Sequence, residues 1–157
     1  MEPKHPAAIR SANAADIEAI TEIEKKCFPE PIAYSKRQLK YLLLDANSTS
    51  LVESQDGVIR GFVIVTYRRG SATGHVETID VDPTYKKQGT GLRLLGAAEE
   101  DMRRRGKRCS QLEVSEGNEA ALKLYTKSGY THKERIKRYY RYEHNGTRDA
   151  IRMVKTI

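Results

Sequence analysis

Long apolar runs are missing from the 157-residue sequence. No stretch approaches the roughly 20 residues that a bilayer-spanning helix needs. The opening MEPKHPAAIR holds no apolar segment of signal-peptide length. The expectation is a cytoplasmic protein without a membrane contact. Cysteine is scarce as well. Cys27 and Cys109 are far apart, which gives neither metal-ligand spacing nor a disulfide framework, so two reduced, partly buried thiols are expected. The four histidines form no metal-binding cluster, and no metal is expected. Internal repeats, low-complexity tracts and linkers are absent too. Residues 1–157 therefore read as one domain, long enough to bury a proper core.

Charge is abundant. There are 28 basic and 21 acidic side chains, a net charge of +7, and much of the excess lies in RRRGKR (103–108) and in 132–148. A basic face of this kind attracts RNA, a ribosome or the phosphates of a cofactor, and is equally an ordinary solvated surface.

The apolar pattern gives the element order. AAIRSA (7–12) suits a first strand, and Asn13 caps a helix with apolar residues at 17, 20 and 23. A proline-punctuated loop, FPEPIAY, precedes a helix capped by Ser35. Strands are expected at TSLVES and VIRGFVIVTYRR around a Gln55-Asp56-Gly57 turn, and at GHVETIDV (74–81). A helix from about Thr90 to Arg105 has Leu92, Leu95 and Met102 at helical intervals. CSQLEV is a strand, NEAALKLYTKSG a helix, and a last hairpin turns near Asn145-Gly146. The resulting order, β-α-α-β-β-β-α-β-α-β-β, is an α/β (α+β) arrangement with a mixed sheet flanked by helices.

Between strand and helix lies YKKQGTGLRLL (85–95). Gly89 and Gly91 bring backbone N–H groups within reach of a ligand. The helix N-terminus adds free donors and a positive dipole end, and Lys86 and Lys87 add charge. That suits an anion such as a pyrophosphate. The Gly-Lys-Ser/Thr of a Walker loop and the third glycine of a Rossmann fingerprint are both lacking. By spacing alone, a Gly-x-Gly is also compatible with a plain helix start.

KKQGTGLRLL resembles the Arg/Gln-x-x-Gly-x-Gly/Ala loop with which GNAT N-acetyltransferases hold the pyrophosphate of acetyl-coenzyme A. Lys86 stands where Arg or Gln is usual. The resemblance extends over nearly the whole chain. IRSANAADIEAITEIE is similar to the superfamily's first strand and helix, and LEVSEGNEAALKLYTKSGY to its second motif. The protein N-terminal acetyltransferases of ribosomal-protein and archaeal type are matched more closely. CFPEPIAYS resembles their substrate-gripping loop, and RYYRYEHNGTRDAIRM resembles their closing hairpin with its Tyr-Tyr pair.

The resemblance implies the GNAT fold, a mostly antiparallel sheet of about seven strands with about four helices. It also implies acetyl-CoA as cosubstrate, contacted at Ile79, Asp80, Val81, Lys86, Lys87, Gln88, Gly89, Thr90, Gly91, Leu92, Asn118 and Tyr125. The acceptor would be gripped by Phe28, Pro29, Tyr34, Tyr139 and Tyr140, with Glu77 a candidate for its amine.

Transfer to an amine needs the amine neutral. An α-amine is about a tenth neutral at pH 7, and a lysine amine far less, so a general base matters. Glu113 sits in its strand with Leu112 and Val114 directed oppositely; the resemblance makes it that base, acting through water. Tyr125 would be the general acid towards the coenzyme sulphur. His75, a possible second base, shares strand parity with Glu77, Ile79 and Val81, so all four side chains are expected to point one way. The leading acceptor reading is the N-terminal α-amine of a protein or peptide, favoured by residues 28–34 and 139–140; a protein lysine, or a small amine or polyamine, is the rival. A non-catalytic coenzyme- or ribosome-binding module is the alternative of another class. Ribosome association through the basic surface goes with the leading reading.

Overall fold

The strand and helix signals fall where the sequence places them, and the reasons are local. In the computed structural model, which describes residues 5–157, the elements are β1 (Ala8–Ser11), α1 (Ile17–Cys27), α2 (Lys36–Leu44), β2 (Ser48–Gln55), β3 (Val58–Tyr67), β4 (Thr73–Val81), α3 (Thr90–Arg104), β5 (Cys109–Ser115), α4 (Glu119–Lys127), β6 (Thr131–Ile136) and β7 (Ala150–Thr156). The first four residues of the N-terminal stretch lie outside the described residues. Asn13 accepts a hydrogen bond from the Ala15 amide at the turn that leads into α1. Ser35 and Gln38 form a reciprocal capping box on α2, and Asn118 accepts from the Ala121 amide to start α4. Asp56 and Gly57 take φ of 50° and 80°, the left-handed pair that a two-residue hairpin needs, and close β2 onto β3.

The sheet order is β1-β2-β3-β4-β5-β7-β6, antiparallel throughout except for β4 with β5. β3 is central and apolar on both faces. Phe62 and Ile64 pack under α1 and α2 with Ile20, Ile23 and Leu39, while Val63 and Val65 pack against Leu94, Leu95, Ala98 and Met102 of α3. Leu92, expected on the core side of α3, is instead exposed, and Leu94 takes that place. Among the described residues, no helix is long and apolar enough to cross a membrane, and no group of three metal-ligating side chains forms. Both cysteines are free thiols of intermediate burial.

Two departures from regularity make the site. First, β4 and β5 pair only from Thr73↔Cys109 to His75↔Gln111, although β4 runs on to Val81 and β5 to Ser115. The sheet therefore splits into a cleft beyond His75. Second, β4 carries a bulge opposite Ile64/Val65: Thr78 faces Ile64 while Val76 faces Val65, which leaves Glu77 extra. A bulge reverses strand parity. His75 and Glu77 thus lie with Thr66 on the α1/α2 face, whereas Ile79 packs into the α3 cluster and Val81 lies beside Gly91. The expected common direction of the four side chains does not hold.

Candidate active site

A cavity of about 530 Å³ opens where β4 and β5 part. Its walls come from β4 (Val76 to Ile79), β5 (Leu112 to Ser115) and the start of α4, and from two loops. One loop follows α1 and brings Phe28, Ile32 and Tyr34. The other, between β6 and β7, brings Tyr139, Tyr140 and His144.

A chain of polar contacts crosses the cavity. His75 sits between two carboxylates, with Nε2 2.6 Å from Glu113 Oε1 and Nδ1 3.1 Å from Glu77 Oε2. Glu77 also accepts from the Tyr34 hydroxyl at 2.6 Å, and Glu113 accepts from Arg152 Nε at 3.0 Å, Gln111 at 3.2 Å and Tyr139 at 3.3 Å. Burial alone would make these charges costly, but the partners reverse its effect. Burial opposes the imidazolium, yet Glu113 and Glu77 together raise His75 from 6.5 to about 9. Burial likewise pushes Glu113 up, but His75 and Arg152 outweigh it and hold the carboxyl at about 2. Arg152 was not foreseen. It faces Glu113 directly in the β5–β7 pairing and lies between the core residues Ile151 and Met153, the same strand signal that singled out Glu113.

Tyr125 presents its ring to this cavity from α4 and packs edge-on to Tyr130 at 6.0 Å. Burial pushes its hydroxyl up, so it holds its proton at all working pH values. Tyr139 and Tyr140 stack edge to face at 5.0 Å. His144, also unforeseen, rests its ring 5.6 Å from Phe28 and completes an aromatic collar at the acceptor loop. No periodic pattern marks His144; it belongs to an irregular loop. Pro29 is not on the cavity wall. Its carbonyl instead accepts the Ile32 and Ala33 amides and shapes the turn.

Past the cavity, β4 leads into the glycine loop. Lys87 and Gly89 take φ of 63° and 81°, so the loop coils with its amides turned inward before α3 begins. Among the described residues, the amides of Lys87 to Leu92 donate to no protein acceptor. Six unused donors at a helix start, beside exposed Lys86 and Lys87, fit a pyrophosphate. Asp80 differs from the other expected coenzyme contacts. Its carboxyl is 1% exposed and turns towards buried Glu24 on α1, away from the loop. Desolvation, then Glu24, raises the proton affinity of Asp80 well above the usual carboxylate range. RRRGKR lies at the far end of α3, about 22 Å from the loop at 1.5 Å per residue, and draws no phosphate there.

Residues 17–130 match the acetyltransferase (GNAT) family. Among curated relatives, an N-alpha-acetyltransferase 30 of Schizosaccharomyces pombe is 31% identical over 138 residues, 86% of this chain and 88% of that one. The ribosomal protein bS18-alanine N-acetyltransferase of Escherichia coli K12 is 31% identical over 153 residues, 95% and 97% of the two chains. The crystal structure of the E. coli ribosomal-protein-S18-alanine enzyme superposes with a TM-score of 0.85 at 26% identity, covering 97% of this chain and 94% of that one. A GNAT family acetyltransferase from Elizabethkingia anophelis with acetyl-CoA bound shares the fold, with a TM-score of 0.80 at 17% identity over 96% and 98% of the two chains.

Proposed function

From the premise that the chain belongs to the acetyltransferase (GNAT) family and uses acetyl-CoA to acetylate an amine, we propose that its acceptor is the N-terminal α-amine of a protein or peptide. The observation that carries this reading is the aromatic collar of Phe28, Tyr34, Tyr139 and Tyr140 around a buried proton-accepting cluster. A peptide end needs such walls for its first residues, whereas a small amine does not. The two curated relatives act on protein N-termini by name. Six basic side chains in 132–148 are exposed, and their charge supports encounter with acceptor termini at a ribosome.

Acetyl-CoA supplies the activated acyl group; everything else falls to the chain's own residues. The amides of residues 87–92 and the lysines beside them would anchor the pyrophosphate. Tyr125, protonated and buried, would donate to the departing thiolate. For the base, the opposite directions of two shifts choose between two candidates. Glu113, pushed up by burial but held far below an α-amine by His75 and Arg152, is a poor acceptor for the amine's proton. His75, raised by Glu113 and Glu77 above the amine, must first lose its own proton but then accepts the amine's downhill. His75 is therefore the proton acceptor in this reading. Glu113 and Glu77 orient it, and Glu113 receives the ammonium by charge.

The test is acetyl-CoA turnover against peptides with free N-termini, beside lysine peptides whose N-termini are blocked. Turnover with free N-termini is the expected result. Turnover only with the blocked lysine peptides would overturn the acceptor assignment and leave the family chemistry standing.

A further inference from the structure

Two arginines outside the cavity converge on one residue of the glycine loop. Arg93, one turn into α3, donates Nη1 to the Gln88 carbonyl at 2.9 Å and Nε to Glu53 at 2.6 Å. Its Nη2 reaches the other Glu53 oxygen at 3.3 Å and the Thr90 hydroxyl at 3.4 Å. Glu53 lies on β2, is 1% exposed, and has its carboxyl held below its ordinary value by this contact against the opposing pull of burial. Arg60 of β3, stacked over the Tyr85 ring at 4.8 Å, donates to the Gln88 side chain. Gln88 is thus gripped at both its carbonyl and its amide group, and the loop is tied to two strands.

The carbonyl contact matters more, because a trans peptide unit points its C=O and N–H in opposite directions. Arg93 draws the Gln88 C=O outward, which aims the Gly89 N–H of the same unit into the amide cradle. Gly89 belongs to the same device. A Cβ there would lie 2.8 Å from Arg93 Nη1, on the brace side. The glycine supplies a φ of 81° and leaves room for the guanidinium.

We infer that Arg93, anchored by buried Glu53, is a positioning residue for coenzyme binding: it locks the Gln88–Gly89 peptide so that its amide faces the pyrophosphate. This rests on the pyrophosphate reading of the loop but not on which amine is acetylated. Arg93 touches no reacting atom, so its loss should weaken ground-state coenzyme binding and spare the chemical step.

The test compares Arg93→Met with Glu53→Gln/Arg93→Met, the second removing the carboxylate that the first leaves buried and unpaired. Calorimetric affinity for coenzyme A should fall about 10- to 100-fold in both, the range for one hydrogen bond from a charged donor. The KM for acetyl-CoA should rise by a similar factor, with kcat at saturation within about twofold of wild type. Arg93→Lys, which reaches only one of the two partners at a time, should fall between. The loss should be equal for 3′-dephospho-coenzyme A, which keeps the pyrophosphate. Wild-type affinity in the double variant would overturn the inference, since stranding Glu53 would then be the whole effect. So would a loss confined to the 3′-phosphorylated ligand, or a collapse of kcat at unchanged KM. Gly89→Val crowds Arg93 Nη1 and strains a left-handed φ, so it distorts loop and brace together. If it too binds coenzyme A normally, the loop is not the pyrophosphate site; if it fails while Arg93→Met binds normally, the site stands and the brace does not.

Discussion

Replacing Glu113 by Gln asks which group takes the amine's proton, and the two answers move the pH profile in opposite directions. In the wild type, His75 is held at about 9 by Glu113 and Glu77, and Glu113 is the larger of the two contributors. Removing one carboxylate of a pair of this kind takes away roughly one unit or more of that shift. If His75 is the base, the rising limb of kcat/KM for Glu113→Gln shifts to lower pH than in the wild type, towards 6.5, with a reduced plateau because the ring is less well oriented. If Glu113 is the base, the variant loses most at low pH and recovers only as the amine approaches its own pKa near 8. The assay is the initial rate of acetyl transfer to one peptide from pH 6 to 10, at low peptide and saturating acetyl-CoA, so that the amine's own ionisation is common to both enzymes. A second readout follows from linkage. The folded value of His75 lies above its ordinary 6.5, so the stabilisation from these contacts is complete below about 6.5 and lost as pH rises through about 9. The wild-type melting temperature should decline over that window, and that of Glu113→Gln much less. A limb that stays at the wild-type position or moves upward would refute the assignment of His75.

Tyr125→Phe keeps the edge-on packing against Tyr130 and removes only the hydroxyl; kcat should fall by about 10²–10⁴-fold while coenzyme affinity, by calorimetry, barely changes. Tyr34→Phe removes the 2.6 Å bond to Glu77 and should raise the peptide KM severalfold, about what one charge-assisted hydrogen bond contributes, with the acetyl-CoA KM unchanged. Leu94→Ala opens a hole at a fully buried position under β3. It should cost about 2–5 kcal/mol and lower the melting temperature by roughly 5–20 °C in a thermal scan.

The element order was legible because each element carries its own punctuation: Asn13, Ser35 and Asn118 cap where the sequence says they should, and Asp56-Gly57 turns where it should. The glycine loop was legible for the same reason, since its amides are exposed by local chain geometry. What depends on pairing between distant strands was not. The bulge at Glu77 arises from the match between β3 and β4, so counting alternate residues along β4 alone put His75 on the wrong side relative to Ile79. The cluster at His75 joins residues 38 and 39 apart in sequence, and no window contains both His75 and Glu113, or Glu113 and Arg152. The base role expected of Glu113 rests on the family resemblance; its low basicity is set by its partners His75 and Arg152. Arg93 went unremarked because its two contacts, at Gln88 and Glu53, serve the loop from behind.

The split between β4 and β5 has a consequence for isotope exchange. Past His75 and Gln111 the two strands turn bare edges towards each other, and main-chain hydrogens on those edges have no neighbouring strand to shelter them. On most of a sheet, the deuteration rate reports global unfolding. Along Val76–Val81 and Leu112–Ser115, alternate hydrogens instead exchange straight from the folded state, with rates that measure what lies in the cleft. Titrating donor and acceptor separately, then together, under mass spectrometry would show which edge each one covers and whether both sit there at once, without a label or a chromophore.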